Sequence, residues 1–329
     1  MIIDIHSHYF PVALIEEARK GKAFDGLTTI QDRDREMACH RQGARYMLKR
    51  EFYDLGAKLA SMDEMEIDIS VLSTAPTLFM YWTEKTEALS FCRRMNDSLA
   101  EFSSASGGRI VGLASVPLQD PESAAQELRR AVIELGLRGA QIGTSVEGLP
   151  LDDARHAVFF NEASDLHVPL MIHPYAVGKR ERMEDFQLNN LVGNPMDTCL
   201  SAVRLILSGF LDRYPEIKII LSHGGGYLPY QVGRLDHGFS VRPGKNHCEY
   251  APSKYLNRFF YDTILFDPKP LKLLYDLVGA ERLMVGTDLP FEAADTAFMK
   301  NVAALNITED EKEMILFQNA RSLFNIASQ

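Results

Sequence analysis

Eight short β-rich runs, helical spacing between the later ones, and ligand-type residues recurring at the run ends predict an α/β chain folded as a (β/α)8 TIM barrel with a small insertion after strand 1. The runs lie at roughly Ile2–His6, Asp68–Ser73, Ile110–Val116, Gly139–Gly143, Val168–His173, Ile217–His223, Phe259–Thr263 and Leu283–Asp288. Helix signals separate them. Asn194 is placed to cap a helix that has Pro195 at its first position and Leu200, Val203, Leu207 and Leu211 at three- or four-residue steps; it is expected to stop near Arg213-Tyr214-Pro215. Asp120-Pro121-Glu122 opens another through Leu135, closed by Gly136. A doubly wound open sheet shares this alternation, but no G-x-G-x-x-G follows the first strand.

The 329 residues exceed the ~250 of a typical barrel of this class, so the surplus sits in insertions. The whole of 1–329 reads as one barrel, with approximately 10–60 an inserted lid or subdomain, rich in charge and broken by Gly21, Gly26 and Gly43. A net charge of -10 and a pI near 5.4 argue against nucleic acid or an anionic membrane as partner. No apolar run is long enough to span a bilayer, and the first residues lack the basic n-region of a signal peptide, so the expected compartment is the cytoplasm. Cys39, Cys92, Cys199 and Cys248 are far apart with no C-x-x-C pair, which suits reduced thiols and leaves histidine and carboxylate to supply any metal ligands.

The opening Ile2-Ile3-Asp4-Ile5-His6-Ser7-His8 is an apolar run ending in two histidines one residue apart. In a strand, alternate side chains share a face, so His6 and His8 can converge on one ion. In a parallel barrel the C-terminal strand ends meet at one face, which brings His173 after strand five and Asp288 after strand eight to the same place. Three imidazoles and a carboxylate form an N3O set suited to Zn2+, with Mn2+ or Fe2+ as alternatives, one ion per subunit and a position open to substrate. His223, followed by Gly224-Gly225-Gly226, reads as a general acid/base beside the metal or as a further ligand. Strand four ends Gln141-Ile142-Gly143-Thr144 without the lysine that would bridge two metals, which favours one.

H-x-H on strand one, His173-Pro174 after strand five, H-G-G-G after strand six and T-D-x-P-F from Thr287 to Phe291 resemble the amidohydrolase superfamily. The closer likeness is to its decarboxylase branch, typified by 2-amino-3-carboxymuconate 6-semialdehyde decarboxylase, and covers nearly the whole chain. Met62-Asp63, Ile67-Asp68, Met95-Asn96-Asp97, Val116 to Asp120, Ile206 to Gly209 and Gly233-Arg234 support it. The resemblance implies a metal-dependent carboxy-lyase of aromatic degradation, acting on a small unsaturated or aromatic carboxylic acid. One zinc would be held by His6, His8, His173 and Asp288, with His223 and Asp288 as catalytic groups. It further implies a homodimer in which Arg234 enters the neighbouring site, and a substrate-binding arginine in the insertion, Arg45 or Arg50. Tyr175 stands where the typifying enzyme has tryptophan, so it is a substrate-pocket candidate, as is the aromatic patch Phe79-Met80-Tyr81-Trp82. Lys179-Arg180-Glu181-Arg182 is another possible clamp, since arginine binds carboxylate bidentately. Relatives with the same ligands hydrate unsaturated dicarboxylates or hydrolyse lactones, so a hydrolase or hydratase is the alternative.

Overall fold

The computed structural model describes residues 1–40, 45–175, 182–183, 185–242 and 244–327. The chain begins β1 (Ile3–Tyr9), α1 (Val12–Arg19), β2 (Thr28–Asp32), β3 (Arg35–Cys39), β4 (Arg45–Met47), α2 (Leu55–Glu64), β5 (Ile69–Thr74) and α3 (Lys85–Ala105). It continues β6 (Ile110–Gly112), α4 (Pro121–Ile133), β7 (Ala140–Gly143), the hairpin β8 (Ser145–Val146) and β9 (Leu149–Pro150), α5 (Ala157–Asp165) and β10 (Pro169–His173). Then come α6 (Asn194–Leu207), α7 (Phe210–Arg213), β11 (Lys218–Leu221), α8 (Leu228–Val241), β12 (Phe259–Asp262), α9 (Pro268–Val278) and β13 (Leu283–Met284). α10 (Phe298–Ala303), α11 (Glu309–Glu313) and α12 (Asn319–Leu323) follow.

Parallel ladders run in the orders β1-β5-β6 and β13-β12-β11-β10-β7. Isolated parallel bridges, Ala114 to Ala140 and Ser7 to Leu289, join the two sheets, with Ile5 N–H donating to Val285 O at 2.8 Å. Each of the eight β-rich runs contributes one strand to this TIM barrel. Outward residues such as Leu170, Ile172, Ile219, Leu221, Phe259, Tyr261, Leu283 and Val285 pack with the helices in one apolar cluster. Inward residues Ile3, Ile5, Ile69, Val71, Leu113, Met171, Ile220 and Met284 form a separate one. The next inward positions, two residues on, are Ser73, His173, Ser222, Asp262 and Gly286. An aliphatic floor therefore gives way to a polar layer at the C-terminal mouth.

Simple alternation does not account for β1. It would set His6 and His8 opposite Ile3 and Ile5, yet both isoleucines belong to the interior cluster. The β1–β5 register slips between Asp4 and Ser7, so that Ile3 pairs with Ile69 while His8 pairs with Ser73. This bulge switches the inward parity and turns the histidines into the barrel, a common use of bulges beside sites.

Two helix expectations need adjusting. Asn194 is not a cap: a π-turn over Asn189–Gly193 runs straight into α6 with helical dihedrals, and the Asn194 carbonyl accepts from Thr198 Oγ1. That helix ends at Leu207, and Gly209 at φ +69° starts the separate turn α7. α4 starts at Pro121 as expected and stops at Ile133, with Gly136 at φ +72° just beyond.

Between β1 and α2 the chain builds α1 and the antiparallel sheet β2-β3-β4 around its own core of Phe10, Leu14, Ile15, Phe52, Leu78 and Phe91. Asp54 caps α2 by accepting from Ala57 N–H at 2.8 Å. Residue 60, the expected end of the insertion, thus lies inside that helix.

Candidate metal centre

His6, His8, His173 and Asp288 each bring a ligand atom to a common point, all within 4.8 Å of one another. The imidazoles meet edge to face, with ring centroids 5.1 Å (His6–His8), 4.9 Å (His6–His173) and 5.3 Å (His8–His173) apart. The Nε2 atoms of all three and Asp288 Oδ1 are buried without a hydrogen-bond partner. His8 Nε2 approaches Asp288 Oδ1 to 2.9 Å and His6 Nε2 approaches it to 3.7 Å. Four orphaned atoms aimed at one point would be costly without a guest. An N3O set of this composition fits a divalent transition-metal ion.

The far side of each ring fixes its tautomer. His6 Nδ1–H donates to Asp262 Oδ2 at 2.7 Å and His173 Nδ1–H donates to Pro174 O at 2.6 Å, leaving each Nε2 with a lone pair. His8 Nδ1 lies 3.4 Å from Ser73 Oγ. Burial lowers the His8 pKa to about 4 and drives that of His173 well below its usual range, so both are neutral ligands at pH 7. For His6, burial pulls downward but the Asp262 carboxylate prevails and raises it. Burial likewise opposes ionisation of Asp288, and the imidazoles of His223, His8 and His6 gathered around it overcome that, holding the carboxyl well below the usual range.

His223 stands beside this group. Its ring is 5.3 Å from that of His6 and 5.1 Å from that of His173, and its Nε2 is 3.9 Å from Asp288 Oδ2. It falls outside the four-atom ligand set. The glycines behind it are required: a Cβ on Gly226, at φ +61°, would sit 2.0 Å from Pro195 O.

Asp262 was not among the residues expected from sequence, although it ends a strand that was. Its two oxygens serve His6 Nδ1–H, His223 N–H and Gly224 N–H, so one carboxylate ties the His6 ring to the loop that carries His223. Gly286 makes room for this, since a Cβ there would lie 2.8 Å from Asp262 Cβ and 3.0 Å from His6 Cβ. On β7, Gln141 pairs with Met171 in the inward register, and its buried amide has no partner among the described residues.

An aromatic wall lies beside the polar layer. Phe79 and Tyr81 stack at 5.4 Å, Tyr175 meets both edge-on, and Tyr81 Oη accepts from Gly143 N–H at 3.1 Å. The insertion supplies a second wall that sequence reading did not identify. Phe291 packs 5.1 Å from His8, Tyr46 of β4 packs 5.0 Å from Phe291, and Tyr46 Oη pairs with His40 Nε2 at 2.8 Å and Thr77 Oγ1 at 2.9 Å.

The expected arginines are not gathered here. Strand alternation on β4 sends Arg45 into solvent where Tyr46 turns inward, and Arg50, 71% exposed, pairs with Asp54 at 2.6 Å. Arg234 is exposed on α8. Lys179, Arg180 and Glu181 lie outside the described residues.

A family model described as Amidohydrolase matches residues 3–326. The chain is 33% identical over 331 residues to the 2-amino-3-carboxymuconate-6-semialdehyde decarboxylase of Dictyostelium discoideum, covering 97% of this chain and 90% of that one. It is 34% identical over 281 residues to the gamma-resorcylate decarboxylase of Polaromonas sp. (strain JS666), covering 80% and 85%. Among solved structures, the Polaromonas sp. JS666 dihydroxybenzoic acid decarboxylase with bound manganese and the inhibitor 2-nitroresorcinol is similar at TM-score 0.79 and 27% identity, covering 100% of this chain and 98% of that one. The 5-carboxyvanillate decarboxylase of Sphingomonas paucimobilis is similar at TM-score 0.84 and 26% identity, covering 99% of each. With the match running from the first strand to the last helix, the chain belongs to the amidohydrolase family.

Proposed function

We propose that this chain is a metal-dependent non-oxidative decarboxylase, a carbon–carbon lyase acting on a small unsaturated or aromatic carboxylic acid in aromatic degradation. The observation that carries this is the convergence of four partnerless ligand atoms with His223 beside them, in a chain 33% identical over 97% of its length to a decarboxylase. Zinc suits the N3O donors, and the manganese in the Polaromonas structure makes Mn2+ the first alternative, ahead of Fe2+.

His6, His8, His173 and Asp288 would hold a divalent ion, which would supply Lewis acidity to a carboxylic acid substrate. In the reaction the bond to the carboxylate carbon breaks, CO2 leaves, and the electron pair remains on the substrate carbon, which then takes a proton. His223 carries that proton on Nε2, with Asp288 Oδ2 beside it to stabilise the charged ring. Phe79, Tyr81 and Tyr175 on one side and Phe291 and Tyr46 on the other offer flat apolar contact to a ring or conjugated chain and exclude water. The inserted segment 10–60 acts as a lid through Tyr46.

A homodimer fits the surface of α8, which exposes Tyr230 (77%), Tyr227 and Val241 around Arg234, so that a second copy would bring Arg234 to its neighbour's substrate. No helix among the described residues is long and apolar enough to cross a membrane, and the four cysteines are free, which supports assignment to the reducing cytoplasm. The test is CO2 release from 2,6-dihydroxybenzoate, 5-carboxyvanillate and 2-amino-3-carboxymuconate 6-semialdehyde, lost on chelation and restored by Zn2+ or Mn2+. Solvent-oxygen incorporation without CO2 would establish the hydrolase or hydratase reading instead.

A further inference from the structure

Lys58 is 1% exposed, inside α2, where a methionine would fill similar volume without burying a charge. Its Nζ donates to Ser7 Oγ at 2.5 Å, and Ser7 Oγ–H donates to Leu289 O at 2.7 Å. Ser7 separates the ligands His6 and His8, and Leu289 follows the ligand Asp288. The same Leu289 carbonyl accepts from His8 N–H at 2.7 Å, and Ser7 and Leu289 form the isolated bridge between the two strand segments. On the other side of Asp288, Thr287 Oγ1 donates to Asp4 Oδ2 at 2.8 Å, and the Asp4 charge opposes that of Lys58. Asp288 itself sits at φ +63°, a conformation that persists only where neighbours enforce it. Two ties therefore hold the Asp288 turn against β1, and Lys58 anchors one of them from outside the ligand set.

We infer that Lys58 is a positioning residue of the metal centre, acting through Ser7 and Leu289 to hold Asp288 in register with His6 and His8. The inference rests on the metal-centre reading, so wild-type binding is measured first. Chelator-treated protein is titrated with Mn2+ alone, and the melting temperature of the metal-free form is recorded separately. Absence of Mn2+ binding by the wild type overturns the metal-centre reading and the inference with it. Given wild-type binding, Lys58→Met raises the Mn2+ Kd about 10-fold or more, the usual cost of removing an outer support, while the metal-free melting temperature stays level or rises. Ser7→Ala, which keeps the lysine, produces the same rise, and the double variant adds nothing to it because both changes cut one chain of contacts. A Kd at or below the wild-type value in Lys58→Met, or additive losses in the double variant, overturns the role. If Lys58→Met does not fold, the Ser7→Ala titration alone decides: an unchanged Kd overturns the inference.

Discussion

Asp262 Oδ2 accepts His6 Nδ1–H at 2.7 Å while the same carboxylate accepts His223 N–H and Gly224 N–H, each at 2.9 Å. One buried anion therefore orients the proposed metal ligand His6 and shapes the loop that presents His223, the proposed acid/base. Both of its oxygens face N–H donors, so an amide in its place must turn its NH2 toward one of them. Asp262→Asn is expected to weaken metal binding by roughly 10- to 100-fold and to lower kcat as well, because the His223 loop shifts. Isothermal titration with Zn2+, set beside steady-state kinetics in excess metal, checks both effects; full recovery of kcat in excess metal would limit Asp262 to the metal.

His173 is the proposed ligand from the middle of the chain, and among the described residues its side chain's only hydrogen-bond partner is the adjacent Pro174 carbonyl, so its removal leaves the rest of the barrel paired as before. His173→Ala should purify with far less than one equivalent of metal and lose CO2 release, with the circular dichroism of the wild type. Elemental analysis of the purified variant reads this directly. A full equivalent of bound metal in His173→Ala would count against the ligand set.

His223 lies outside the four ligand atoms yet close to them, which separates chemistry from metal loading. His223→Asn should retain metal and bind product-like acids normally, while kcat falls about 10²- to 10⁴-fold, the usual range for losing a general acid. Metal content and kcat measured on one preparation distinguish the roles. Loss of metal in step with kcat would make His223 a fifth ligand.

The barrel was legible because parallel strands buried on both faces leave dense β-branched runs, and each run in the sequence became a strand of the ring. His6, His8, His173 and Asp288 were legible because strand ends of a barrel converge. The bulge in β1 was not, since a slip of register leaves no mark in residue types. Asp262 does carry a signal: it ends the seventh strand, as His173 ends the fifth. Tyr46 and His40 had none, for their place depends on how the antiparallel sheet of the insertion folds back over Phe291. The arginines illustrate the converse, because charge complementarity to a carboxylate says nothing of which face of a strand the residue occupies, and Arg45 is on the outer one.

Gly286 marks where packing rather than chemistry fixes a residue. Its backbone φ is ordinary, so only the neighbours forbid a side chain: the added methyl would meet Asp262 Cβ at 2.8 Å and His6 Cβ at 3.0 Å. Gly286→Ala is expected to cost about 1–3 kcal/mol of stability and to weaken metal binding, because the clash falls on the ligand–carboxylate pair. Urea unfolding of the metal-free form and Zn2+ titration test the two parts separately; a variant as stable as wild type with normal affinity would show that β13 can move aside.

His40 gives the insertion a pH response distinct from that of the metal. Half-buried against Tyr46, its ring has a pKa that burial lowers from 6.5 to about 4. Between those values the unfolded chain binds a proton that the folded one refuses, so the fold loses stability as pH falls through this window and the loss levels off below about 4. The full shift corresponds to about 3 kcal/mol, which partial exposure reduces to about 2. His40→Gln keeps a polar group facing Tyr46 Oη but does not titrate. Measured on metal-free protein, where the ligand histidines are common to both, the stability of wild type relative to His40→Gln should therefore drop by that amount between pH 7 and pH 4. A pH-independent difference between the two would mean that His40 takes up its proton in the folded state as readily as in water, and that the Tyr46 wall is open to solvent.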